Sequence, residues 1–305
     1  MIDPALLSER GKQALLRNPP KSLALLKPRD AVGHKGTYGR AALVGGSLGM
    51  AGAIGLAGMA ALRTGAGLVR LAVPRGIVAT VASYEPAYMT LPLPEDDAGR
   101  LDASALAPLL EAMKSATAVA LGPGLSRSDA VGEIVLRLFA DTAQPAVFDA
   151  DAINALAEHR DELGAHAGPR ILTPHPGEFE RLAGGAKFAD RTTMCGAATK
   201  LAADTRMIVV LKGHGTFVTD GVRGYTNPTG NPGMATGGTG DVLTGVITAL
   251  LCQELAPWDA ACLGVYVHGL AGDVAAAELG MPSLIASDLV RYLPQAVRTV
   301  IAGGA

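Results

Sequence analysis

The sequence predicts an α/β protein with a mostly parallel central sheet and helices on both faces. Three observations carry that prediction. Short apolar runs bounded by turn residues recur along the chain, helical segments separate most of them, and glycine- and acid-bearing stretches fall directly after the runs. The runs are AALVGG (41–46), LVRLAV (68–73), TAVALGPG (117–124), PAVFDAD (145–151), RILTP (170–174) and MIVVLKG (207–213). Such short, β-branched runs are the pattern of strands buried on both faces. Helices are expected over 52–64, 103–115, 128–141, 151–163 and 190–204. Strand and helix in alternation give right-handed crossovers and a parallel sheet. Aromatic residues are only 4% of a chain that is 49% hydrophobic, so Ala, Leu and Val must supply the core, which suits close helix packing.

After residue 207 the pattern changes. Residues 216–227 read as a hairpin turning at Asp220-Gly221, a moderate signal. Three helices, at 240–253, 258–279 and 287–302, close the chain. No composition break marks a linker, so residues 1–305 are expected to form one domain. Residues 1–30 are read as an extension that wraps the surface or packs on a partner subunit.

Charge and cysteine content narrow the function classes. Lys and Arg total 26 against 28 Asp and Glu, with no basic stripe, which disfavours a nucleic-acid partner. The three cysteines, Cys195, Cys252 and Cys262, lack metal or redox spacing and read as buried thiols in a reducing compartment. The first thirty residues carry Lys12, Arg17, Lys21, Lys27 and Arg29 without a long apolar run, so no signal peptide is expected. The apolar helical windows read as interrupted before about 18 residues, which predicts no membrane span. A cytoplasmic protein is the expectation.

In open parallel sheets, ligands bind beyond the carboxyl ends of the strands, so the segments after the runs are the informative ones. The most informative lies further on, at NPGMATGGTGDVLTG (231–245). Gly237, Gly238 and Gly240 let backbone N–H groups converge, and the apolar stripe from Val242 onward makes this loop the start of a helix. Helix starts attract anions, phosphate above all. No Lys-Ser or Lys-Thr follows the glycines, so this is not a Walker loop. Asp241 has two readings. It is a dipole-stabilised first-turn residue, or it is a base that deprotonates a hydroxyl while the loop amides stabilise the phosphoryl group in transfer.

GNPGMATGGTGDVLTG resembles the signature of the ADP/ATP-dependent NAD(P)H-hydrate dehydratases of the ribokinase-like superfamily. The likeness extends, in the same order, to residues 34–74 (from HKGTYGR to LAVP), ALGPGLS (120–126), FDADAINAL (148–156), TPHPGEFERL (173–182) and VVLKGHGTFVTDG (209–221). It covers the chain from about residue 28 onward. The resemblance implies a ribokinase-like three-layer α/β/α fold and a lyase activity that repairs the S epimer of hydrated NADH and NADPH. A nucleotide phosphorylates the ring hydroxyl, and phosphate, a better leaving group than hydroxide, is then expelled by the ring nitrogen lone pair.

On this resemblance Asp241 is the catalytic base, and Gly238, Thr239 and Gly240 form the anion hole. Ala53, Gly124, His175 and Asp241 contact the hydrated dinucleotide. Lys212, Gly213, His214, Gly215 and Thr216, with Gly240, bind the nucleotide; a tight turn with a solvated lysine is the plainer reading of Lys212. Magnesium on the nucleotide phosphates completes the clamp, its protein ligands unassigned. Asp149, Asp151 and Asn154 stand at a strand end where carboxylates hold Mg²⁺ through water, with a helix N-cap the preferred role for Asp151. Arg63 and Arg70 are candidates for phosphate pairing or simple solvation. The segment 46–53 reads either as an anion-friendly helix start or as small residues for tight packing.

ADP is the expected donor, since bacterial-type members generally use it. A homo-oligomer is expected, and any epimerase is expected to be a separate protein. Two rivals stand. A ribokinase-like kinase would share the fold but yield a stable phosphorylated product, and a non-catalytic nucleotide sensor would not need Asp241.

Overall fold

The computed structural model describes residues 7–302. Its elements begin with α1 (Glu9–Leu15), β1 (Arg40–Val44), α2 (Ala51–Thr64), β2 (Leu68–Pro74), α3 (Val78–Tyr84) and β3 (Met89–Leu93). The middle of the chain supplies α4 (Leu106–Met113), β4 (Ala118–Leu121), α5 (Asp129–Asp141), β5 (Ala146–Phe148) and α6 (Ala150–Ala157). Next come β6 (Arg170–Leu172), α7 (Pro176–Leu182), α8 (Arg191–Thr205) and β7 (Ile208–Leu211). The chain closes with the hairpin β8 (Phe217–Thr219) and β9 (Gly224–Thr226), then α9 (Thr239–Cys252), α10 (Pro257–Leu279) and α11 (Ala286–Arg298).

The sheet has the order β3-β2-β1-β4-β5-β6-β7-β8-β9. Strands β3 through β7 pair in parallel, and β8 and β9 turn antiparallel at the far edge. The order reverses between β1 and β4, which opens a crevice at their carboxyl ends. Strand β1 shows why the sheet needs helices on both sides. Ala41 and Leu43 enter the core under α2, α9, α10 and α11, while Ala42 and Val44 enter the core under α4, α5 and α6, as the two-residue period requires.

Strand β3 is absent from the sequence expectation because Pro92 interrupts its pattern. The structure tolerates that proline because β3 is an edge strand, where a missing N–H leaves no ladder bond unmade. The helix expected over 151–163 stops at Ala157 and continues only as a short 3-10 turn at Arg160–Glu162. The expected interruption of long apolar helices also fails. Helix α10 runs 23 residues with mean hydropathy 1.4, long and apolar enough to cross a membrane by length and composition. Here 78% of that window is buried, against α1, α9 and α11, the setting of a core helix.

Part of the N-terminal extension falls within the described residues and lies on the chain's own α10. Ser8 caps α1 and also hydrogen-bonds Glu278, Arg17 pairs with Asp273 at 2.9 Å, and Leu26 bridges to Ile301.

Candidate active site

Helix α9 lies over β1, β4 and β5 and begins at the crevice. Its N-cap, Gly238, has φ +90° and makes no side-chain cap. A side chain there would also collide with Leu56 and Ala286, so the position demands glycine twice over. Thr239 turns its hydroxyl back onto the carbonyls of Met234 and Thr236, both at 3.1 Å. The first-turn N–H groups are thus left without a side-chain acceptor, the condition for holding an external anion. Asp241 sits in that turn. Burial first, then the Asp149 carboxylate, push its carboxyl up to about 7, with Lys212 opposing and Asp151 and Glu178 adding to the rise.

Lys212 comes off the end of β7 and turns into this site. Its ammonium lies 2.6 Å from Asp149 Oδ1 and 3.8 Å from Glu178 Oε2. A methyl group placed on Gly240 would lie 3.2 Å from Lys212 Nζ and 3.6 Å from Asp149 Oδ2. Thr244, one turn after Gly240, donates to Asp149 Oδ2 at 2.9 Å. Burial would strip Lys212 of its proton, but the Asp149 and Glu178 carboxylates outweigh it and hold the ammonium charged. Asp149 mirrors this: burial would raise its pKa, and Lys212 and the hydroxyl bonds hold it low.

His175 is the N-cap of α7. Its Nδ1 accepts from the amides of Gly177 and Glu178, and Glu178 reciprocates to the His175 amide at 2.8 Å, a capping box closed by Pro176 at the first helical position. With Nδ1 accepting, the proton resides on Nε2, 3.3 Å from Glu178 Oε1. The ring is half exposed. Gly124 and Ala53 meet across the β1 and β4 loops, where a methyl on Gly124 would lie 3.1 Å from Ala53 Cβ. The two loops are tied by the Gly46 amide to the Pro123 carbonyl at 2.8 Å and by Ser47 Oγ to the Gly124 carbonyl.

One expectation changes. Asp151 is not an N-cap: Asp149 occupies that position, and the Asp151 carboxylate instead accepts from the Ser126 amide at 2.8 Å, steadying the turn after Gly124. Lys212 turns its ammonium inward to Asp149, while Gly213 and His214 after it face solvent. Arg70 lies in the amino half of β2 beside a groove formed with Leu91, Pro108 and Glu111, and Arg63 is in the last turn of α2; neither is at the strand ends. The small residues of 46–53 serve both readings, with tight loop contact at Gly46 and open space at Gly49 and Gly52.

The sequence did not reveal several partners. Thr244 was legible in principle, being four residues after Gly240 on one helix face. His268, on α10, donates from Nε2 to the Thr239 carbonyl at 2.9 Å, and burial pushes its pKa down to about 4, so it is neutral. Arg191 holds the carbonyls of Leu211 and Lys212 at 2.7 and 3.1 Å and so fixes the start of the β7–β8 loop. Nothing local in the sequence marks either residue.

The open, mostly parallel sheet with helices on both faces has the ribokinase-like fold, and solved structures agree. A ribokinase-like superfamily protein from Enterococcus faecalis superposes with TM-score 0.77 over 91% of this chain and 93% of its own, at 24% identity. The chain belongs, more narrowly, to the NAD(P)H-hydrate dehydratase family, whose sequence profile matches residues 41–295. The ADP/ATP-dependent NAD(P)H-hydrate dehydratase of Bacillus subtilis, co-crystallised with ATP and Mg²⁺, is 30% identical with TM-score 0.75, over 91% of this chain and 98% of its own. The bifunctional NAD(P)H-hydrate repair enzyme of Moorella thermoacetica is 47% identical over 288 residues, 92% of this chain and 54% of that protein. That of Escherichia coli K12 is 39% identical over 274 residues, 89% of this chain and 50% of its own length. The chain thus spans about half the length of the curated relatives it matches.

Proposed function

We propose that this chain dehydrates the S epimer of hydrated NADH and NADPH at the expense of ADP or ATP, with ADP the preferred donor. One observation carries the reading: a carboxyl poised near pH 7 stands in the uncapped first turn of α9, with the Lys212 ammonium facing the same turn. Asp241 takes the proton of the ring hydroxyl as that oxygen attacks the terminal phosphoryl group. The amides of Gly238, Thr239 and Gly240 and the Lys212 ammonium stabilise the charge that develops. Phosphate then leaves with the C–O bonding pair, the ring nitrogen lone pair assists, and loss of a ring proton restores the double bond.

In this reading the dinucleotide runs past Ala53, Gly124 and His175. The nucleotide lies along Gly213, His214, Gly215 and Thr216.

Mg²⁺ fits as an ion carried on the nucleotide phosphates. Among the described residues no group of three or more His, Cys, Asp or Glu side chains could hold a metal ion, and Asp149 already has both oxygens engaged by Lys212 and Thr244. Mg²⁺ commonly binds through substrate phosphates and retained water. When bound it neutralises phosphate charge.

The proposal also takes residues 1–305 as one domain acting in the cytoplasm. It has copies associating through exposed apolar residues such as Leu48, Met281 and Ile285, which light scattering on the purified chain would register as a mass above the monomer.

The test is recovery of absorbance in the reduced-nicotinamide band from hydrated NADH and NADPH, with Mg²⁺ and ADP or ATP. Recovery with one phosphate released per dinucleotide is expected, fastest with ADP. A stable phosphoryl ester would favour a kinase, and no turnover with either donor overturns the reading.

A further inference from the structure

The buried ion pair behind the anion hole has a use beyond holding β5 to β7. We propose that Asp149 is a positioning residue: without touching substrate, it aims the Lys212 ammonium at the phosphoryl site beside Gly240. This rests on the function proposed above.

The geometry supplies the argument. Asp149 is 1% exposed and spends one oxygen on Lys212 and the other on Thr244. Thr244 is a residue of α9 itself, and its hydroxyl also lies 3.3 Å from the Gly240 carbonyl. The pair is therefore fastened to the helix turn that would receive the phosphoryl group, and the ammonium is delivered beside Gly240. A lysine stem has four rotatable bonds, so a fixed partner is what keeps its charge on target.

The groups facing Asp241 come from three elements: Asp149 and Asp151 from the start of α6, Glu178 from α7, and Lys212 from the end of β7. His268 of α10 reaches the same turn as a neutral donor to Thr239. One ammonium thus stands among four carboxylates. Removing Asp149 and removing Lys212 must then move Asp241 in opposite directions, and a pair that serves only as a strut would leave the double variant's turnover at the wild-type level.

The experiment is a carbon-13 carboxyl titration of the whole chain labelled at aspartate, with the Asp241 signal assigned by its loss in Asp241→Asn. Asp149→Asn is expected to shift the Asp241 midpoint down by about one pH unit, and Lys212→Met to shift it up by a similar amount. The double variant removes the buried charges together, which protects folding, and its midpoint returns close to wild type. Turnover on hydrated NADH should fall at least about tenfold in all three, since each leaves the ammonium absent or unaimed. Same-direction shifts, no shifts, or a double variant with wild-type turnover would overturn the inference. A wild-type chain inactive on hydrated dinucleotides would instead sink the functional reading, while the titration still decides whether the pair governs Asp241.

Discussion

Two buried cations lie at opposite ends of one sheet, and they are handled differently. Lys212, at the carboxyl end of β7, is met by the carboxylates of Asp149 and Glu178, and its proton is held more tightly than usual. Arg170, at the amino end of β6, is 1% exposed and gives its hydrogen bonds to the backbone carbonyls of Phe139, Thr142, Gln144 and Pro169. Burial lowers its pKa to about 10. Phe139 and Thr142 lie at the end of α5, so Arg170 closes carbonyls that a helix terminus leaves orphaned. On the proposed function, the difference is between a charge held for chemistry and a charge used as mortar. At the carboxyl end the acids are in excess and leave one, Asp241, undecided near neutrality. At the amino end Arg170 meets backbone carbonyls instead of acids.

The sharpest way to break this comparison is to remove the working acid. Asp241→Asn is expected to reduce turnover by about 10²–10⁴-fold, the usual contribution of a positioned base. The fold should stay intact by circular dichroism. Second in size, Arg170→Met should destabilise the chain on the order of 3 kcal/mol, read from denaturant midpoints, because it strands several buried carbonyls at once. Its folded fraction should turn over normally, since Arg170 is at the far end of the sheet. A loss of specific activity with unchanged stability would merge the two ends and undo the contrast.

The third prediction concerns pH. Asp241 holds its proton more tightly in the folded chain than its ordinary value of 3.8 allows in the unfolded one. Its stabilising contribution is therefore complete below about pH 4 and is lost as pH rises through about 7. Asp241→Asn, which cannot ionise, should exceed wild type by on the order of 2 kcal/mol at pH 8 and match it near pH 4. Paired thermal melts at the two pH values measure this, and equal stability at both contradicts the strained acid. Smallest in effect, Arg170→Lys keeps the charge but not the planar fork, and should cost about 1 kcal/mol in the same denaturant series. A loss equal to that of Arg170→Met would mean that the fork, not the charge, holds the carbonyls.

The sequence showed one end of the sheet better than the other. The glycines around Gly238 and the acid at Asp241 are adjacent in the chain, so the proposed anion hole and base were legible as one stretch. The pairing of Lys212 with Asp149 spans 63 positions, and no local pattern announces it. Arg170 reads as the first residue of a strand, where a charge ordinarily faces solvent; only the fold brings the end of α5 over it. Strand β3 was hidden by Pro92, whose tolerance depends on an edge that exists only once the strands are ordered. Asp151 fitted an N-cap by type and position. The cap falls on Asp149 instead, because α6 begins at Ala150, which takes φ +49°.

The central claim is that Asp241 acts as a base whose proton affinity is raised by its surroundings. The most direct test is the pH dependence of single-turnover dehydration of hydrated NADH with saturating nucleotide and Mg²⁺. The account predicts a rate that climbs with pH to a plateau, with its midpoint near 7 and the whole limb missing from the residual activity of Asp241→Asn. A wild-type rate already flat from pH 5 upward, or a limb that survives in Asp241→Asn, would contradict it.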